Sequence, residues 1–218
     1  MAITYPRVFP FEVAAIAPPL IFTPDRVQNV TRSRGGSVNA AERARTLWRI
    51  EAKTTILEPG PYDDMQAWFD SLRGSLNTFI FFDPARVRPR AYPGVGWAGF
   101  SRHNGGAFDG TCTLLSASGY TVQLTGLPTS YVISTGDMIC WNWGSVRTLH
   151  RAVETVTATN GVLTVQVEPD VPPGSPNLAV VRVETAHATF QLVEPFPVPS
   201  RVSYGGDQIS FKALQALY

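Results

Sequence analysis

Charge is what this sequence has least of. Only 16% of its 218 residues are Asp, Glu, Lys or Arg, against about 25% in an ordinary soluble domain. The net charge is +1, and hydrophobic residues make up 44%. Together these figures exclude a polybasic nucleic-acid arm, a coiled coil and a disordered tail. No specific nucleic acid is expected as a partner. Lysine is nearly absent: Lys53 and Lys212 stand against 16 arginines. Interfaces favour Arg and are depleted in Lys, although a codon bias toward arginine yields the same count. Cysteine is equally scarce. Cys112 and Cys140 are too few for a disulfide framework or a four-Cys zinc site, and their apolar neighbours predict buried free thiols. Long apolar runs are missing too, since none reaches the roughly 18 residues of a membrane span. Residues Met1 to Phe22 are broken by Pro6, Pro10, Pro18 and Pro19 and lack a basic start. They read as neither signal peptide nor span, so a soluble product made in the cytoplasm is expected. A surface this poor in charge suggests one largely covered by other subunits.

Glycine and proline are plentiful, 18 of each, so the chain turns often. Trp48 to Ile56 alternates, with Trp48, Ile50, Ala52, Thr54 and Ile56 on one face, and predicts a strand with one buried side. Glu58-Pro59-Gly60-Pro61 is expected to break it. A helix follows on the stripe Met65, Trp68, Phe69, Leu72. Asp63 and Asp64 are placed in its first turn, and Gly74 at its stop. Asn77 to Asp83 reads as a second strand. From 84 to 110 arginines alternate with prolines and then glycines accumulate, which predicts loop. Residues 111–185 read as short strands only, among them Asp137 to Trp143 and a hairpin turning at Asn160-Gly161. Alternation returns at His187 to Val193 and Gln208 to Leu214.

Catalytic patterns are hard to find. His103, His150 and His187 lack metal-ligand spacing, there is no G-x-S-x-G elbow, and the glycines of 94–110 lack the strand–loop–helix setting of a phosphate cradle. Asp63-Asp64 points its two carboxyls about 100° apart on a helix, and Asp137 reads as a turn residue. No catalytic residue, cofactor or metal is expected. The remaining cluster is aromatic: Trp97, Trp141 and Trp143, with Phe100 nearby. It reads either as core or as a platform on which a sugar ring stacks.

The order W-R-I-E-A-K-T-T-I, then M-Q-A-W-F-D-S-L-R-G, then T-F-I-F-F-D-P resembles the distal tail proteins of long-tailed bacteriophages. The segment after Gly136-Asp137 is similar to related tail proteins of prophages and gene transfer agents. The resemblance implies a mainly β fold: a β-sandwich or split-barrel belt domain with one helix at 1–93 and 186–218, and an inserted all-β module, OB-like or galectin-like, at 94–185. It further implies a non-enzymatic virion protein at the tail tip. The belt would form a homo-oligomeric ring, usually a hexamer, joining the tail tube protein to the hub, beside the tape-measure protein. In some members the extra module binds carbohydrate, which makes a host-surface glycan a candidate partner and Trp97, Trp141 and Trp143 its candidate contacts. The alternatives are a stand-alone carbohydrate-binding protein for host adhesion and a glycan hydrolase, although no pair of carboxylates marks the second.

Candidate assembly residues are Arg26, Arg32, Arg34, Arg43 and Arg45 in a long loop, with Arg49 on the wet face of its strand. The segment Arg26–Arg45 is expected to order on assembly. Limited proteolysis checks this: the segment should be cut faster in the free chain than in the assembly, and equal rates contradict it.

Overall fold

The computed structural model describes residues 3–94, 96–197 and 207–217. Residues 1–2, 198–206 and 218 of the expected belt and Val95 of the expected insert lie outside them. In chain order the elements are β1 (Arg7–Val8), β2 (Ile16–Asp25), β3 (Gln28–Arg32), β4 (Val38–Glu42), β5 (Leu47–Thr54), α1 (Pro59–Ser71) and β6 (Thr78–Phe82). After a 3-10 turn at Pro84–Arg86 come β7 (Thr111–Ser118), β8 (Thr121–Thr125), β9 (Val132–Ile133), β10 (Met138–Trp143) and β11 (Val146–Ala152). Then follow β12 (Val156–Thr157), β13 (Leu163–Glu168), β14 (Val180–Arg182), β15 (His187–Leu192) and β16 (Ser210–Gln215). The chain is mainly β with one helix, as expected.

Six strands form an open sheet in the order β1-β6-β15-β16-β5-β2. Its pairs are antiparallel except β1 with β6. The register sets Phe79 opposite Phe190, Phe211 opposite Ala52, and Ala213 opposite Ile50, so one face is a continuous apolar surface. Helix α1 covers it with Tyr62, Met65, Trp68, Phe69 and Leu72. Aromatic rings lock the contact, with Trp68 edge-on to Phe79 at 5.4 Å and Phe69 against Phe211 at 5.2 Å. The helix starts earlier than expected. Pro59 occupies its first turn, where a missing N–H costs nothing, and so opens the helix. Asp63 and Asp64 therefore sit in the second turn, and no acidic residue lies in the first.

A second set of strands closes into a barrel, β10-β11-β13-β8-β7-β14. Its interior holds Leu114, Val122, Leu124, Val165, Val181 and Trp141. Met138–Trp141 of β10 and Thr148–His150 of β11 are buried on both faces. Their register puts Ile139 opposite His150 and Trp141 opposite Thr148 on one face, and Cys140 opposite Leu149 on the other. Ile139 and Trp141 belong to the barrel core, whereas Met138, Cys140 and Leu149 belong to the core under the six-stranded sheet. Polar contacts complete the junction. The Trp48 indole N–H donates to the Leu149 carbonyl at 2.6 Å, and the Arg151 guanidinium lies 4.7 Å from the centre of the Trp48 ring. The Gln215 amide donates to the Arg147 carbonyl at 3.3 Å.

Two local expectations are corrected. Segment 26–45, expected as a long loop, is a β-hairpin: β3 pairs with β4 over five residues, and Ser33 donates to the Ser37 carbonyl at 2.9 Å across the turn. Every residue of both strands is exposed. The Asn160-Gly161 turn forms with positive φ at both residues, as a type I′ turn requires. Only Thr159 and Val162 bridge across it, because β12 pairs with β9 instead of β13. Gly161 also has no room for a side chain, since a Cβ there would meet His103 at 2.6 Å and the Leu127 carbonyl at 2.7 Å.

Because β10 and β11 wall both cores, sheet and barrel should unfold together. Trp48→Ala should destabilise the chain by about 3–5 kcal/mol in a single transition. Urea melts followed by far-UV circular dichroism and tryptophan fluorescence should coincide, and two separated transitions would contradict the shared wall.

Candidate functional site

The three candidate tryptophans do not form a platform. Trp141, only 1% exposed, is inside the barrel and stacks on His150 at 4.5 Å with planes 16° apart. Trp97, 8% exposed, belongs to a knot of rings with Tyr92, Phe100, Phe108 and Tyr131. Its N–H donates to the Glu184 carboxylate, and the Arg88 guanidinium covers its ring at 4.3 Å. Neither ring offers a face to a sugar. Trp141 and Trp143 are two residues apart in β10, and closure of the barrel buries the first. Trp143 is half-buried beside the β10–β11 turn. There it lines a shallow depression of about 410 Å³ with Gly144, Val146, Gly174, Pro176 and Leu217.

The loop 84–110 does more than cross between sheets. Residues 84–90 and 93, with Thr135, Gly136 and Asp137, line a cleft of about 730 Å³. Arg86 donates to the Gly136 carbonyl at 2.6 Å, and its Nε lies 3.4 Å from the Asp83 carboxylate. Asp137 is the turn residue that its position suggested. It accepts backbone N–H groups from Arg90 and Ser134, each at 2.8 Å. Burial pushes its carboxyl up, against those bonds and the nearby guanidinia. This cleft was missed in the sequence, where alternation of Arg and Pro at 84–90 was the available signal. It holds no base paired with a nucleophile. Cys112 is buried far from such work, its thiol pushed up to about 12 by burial. Among the described residues no three His, Cys, Asp or Glu side chains gather as metal ligands, and no helix is long and apolar enough to cross a membrane.

The arginines divide into two groups. Arg26 pairs with Glu42 at 3.5 Å and with Glu168 at 2.9 Å, and Arg45 pairs with Asp170 at 3.3 Å. These two tie the base of the β3–β4 hairpin to the end of β13. Arg49 lies on the outer face of β5 and pairs with Glu51, which also meets Lys212 at 3.8 Å. Arg32, Arg34 and Arg43 are exposed, and among the described residues no ion pair holds them. Exposed Val27, Val30 and Val38 accompany them. The structure thus brings five of the six candidates onto or beside one hairpin, and leaves Arg49 on the sheet.

His150 illustrates a buried polar group held for packing. Its Nδ1 contacts the Pro169 carbonyl at 2.8 Å, and burial lowers its pKa to about 4. The folded state therefore binds fewer protons than the unfolded state between about pH 6.5 and 4, and stability falls as pH drops through that window. The full loss is about 3 kcal/mol. Melting temperature measured against pH should show it, and His150→Phe, which keeps a ring on Trp141, should flatten the slope. An unchanged slope would contradict the assignment.

No protein-family model matches the chain, and no curated protein matches it.

Proposed function

We propose that this chain is a structural protein that builds a ring at the distal end of a phage tail, between the tail tube and the hub. The observation that carries this is the β3–β4 hairpin. An isolated two-stranded hairpin is marginal in water, yet here both strands stand wholly exposed with three valines and three unpaired arginines. A segment of that kind gains its stability from a partner.

Other features support the same reading. The welded sheet and barrel make a rigid block suited to a fixed place in an assembly. Prolines at 18, 19 and 24 blunt the exposed edge β2 against open-ended strand pairing. Trp97 and Trp141 are buried and offer no stacking face, which favours the ring reading over glycan binding. The low overall charge fits a surface shared with other subunits.

Light scattering coupled to size exclusion, with negative-stain images of the peak, tests the proposal. Rings with a central hole, of a mass that is a small multiple of 23.8 kDa, are expected, six copies being the number the resemblance implies. A stable monomer at high micromolar concentration would contradict it.

A further inference from the structure

The hairpin carries an excess of positive charge. Residues 26–45 hold five arginines and one glutamate, a net +4. Arg26 and Arg45 are engaged at its base, so the unpaired cations are Arg32, which ends β3, Arg34 in the turn, and Arg43 just after β4. Three cations without an ion pair among the described residues thus stand on an element whose strand residues are all exposed.

The complementary charge lies elsewhere on the same chain. Residues 54–72 contain Glu58, Asp63, Asp64 and Asp70 and no Lys or Arg. All four are exposed; Glu58 is the N-cap, and Asp63, Asp64 and Asp70 lie on the side of α1 away from the buried stripe Tyr62, Met65, Trp68, Phe69 and Leu72. Asp63, Asp64, Ala67 and Asp70 follow helical spacing, so they share one outward face. No ion pair links this face to the hairpin within the chain among the described residues. The sizes agree as well. A 13-residue helix is about 20 Å long, and a five-residue strand pair is about 17 Å.

We propose that the β3–β4 hairpin of one copy docks on the acidic outer face of α1 of the next copy. Arg32, Arg34 and Arg43 meet Asp64 and Asp70, and the exposed valines are covered beside Ala67. A patch and its complement that lie on one chain but do not meet within it make a head-to-tail contact. Such a contact propagates around a ring when its rotation closes. This inference rests on the ring proposed above and names the contact that builds it. Like charges within each patch repel in the free chain, so the contact gains from relieving both, and it weakens with salt.

Two charge reversals on exposed residues test it. The hairpin variant carries Arg32→Glu and Arg34→Glu, and the helix variant carries Asp64→Arg and Asp70→Arg. Each alone sets like charge against like, and should need at least tenfold more protein to assemble than the natural chain. Melting curves confirm that each variant stays folded. Mixed in equal amounts the two are complementary at both junctions, and rings should return, with the two variants alternating. A hairpin variant that assembles as the natural chain does overturns the inference and leaves the ring standing. Single variants that fail with no rescue on mixing also overturn it, since the hairpin then meets some other surface. A natural chain that never assembles overturns the ring itself.

Discussion

Everything else in this structure depends on the β10–β11 ribbon being buried on both sides. Its residues alternate between two cores. Ile139 and Trp141 fill the barrel, while Met138, Cys140 and Leu149 close the core that α1 and the six-stranded sheet share. Where both faces are covered the ribbon has no wet side, which is why Met138 to Trp141 runs apolar without a break. Its backbone is served from the sheet side, by the Trp48 indole at Leu149 and the Gln215 amide at Arg147. A buried carbonyl without such a donor would lose on the order of 1–3 kcal/mol.

The wall settles the orientation of the outlying parts. The barrel is not a module swinging on loops, because part of its surface is the inner wall of the neighbouring core. Arg26 and Arg45 hold the base of the hairpin to Glu168 and Asp170 at the end of β13. Its exposed strands therefore point in a direction set by the barrel. Surface ion pairs of this kind are individually worth about 0–1 kcal/mol, so they steer the hairpin more than they stabilise the fold. Arg32 and Arg34 near the hairpin turn, and Asp64 and Asp70 on α1, hold no ion pair among the described residues, and the proposed contact between copies joins these two surfaces.

Much of the sheet was legible from periodicity. Trp48, Ile50, Ala52 and Thr54 are buried on alternate positions, and the stripe Met65, Trp68, Phe69, Leu72 packs as spaced. These patterns are visible because one side of each element meets a core and the other meets water. Ile56, expected on the same buried face, is exposed because β5 ends at Thr54. The hairpin was invisible for the opposite reason: Val30 and Val38 bury nothing, so alternation carried no signal. The helix begins a turn before Asp63 and Asp64 because proline, which stops a helix interior, suits its first turn. Trp141 and Trp97 look alike in sequence to a sugar platform and to core, and only closure of the barrel separates the two. The Arg86 and Asp137 cleft depends on residues 50 positions apart, a proximity that no local spacing encodes.

Hydrogen–deuterium exchange of the free and assembled protein tests the central claim most directly. That claim is that the hairpin is the assembly surface of an otherwise finished fold. Amides of 28–32 and 38–42 should exchange rapidly in the dilute chain and slow at least tenfold on assembly, while those of the barrel interior stay protected in both. Equal hairpin exchange in the two states would contradict the account.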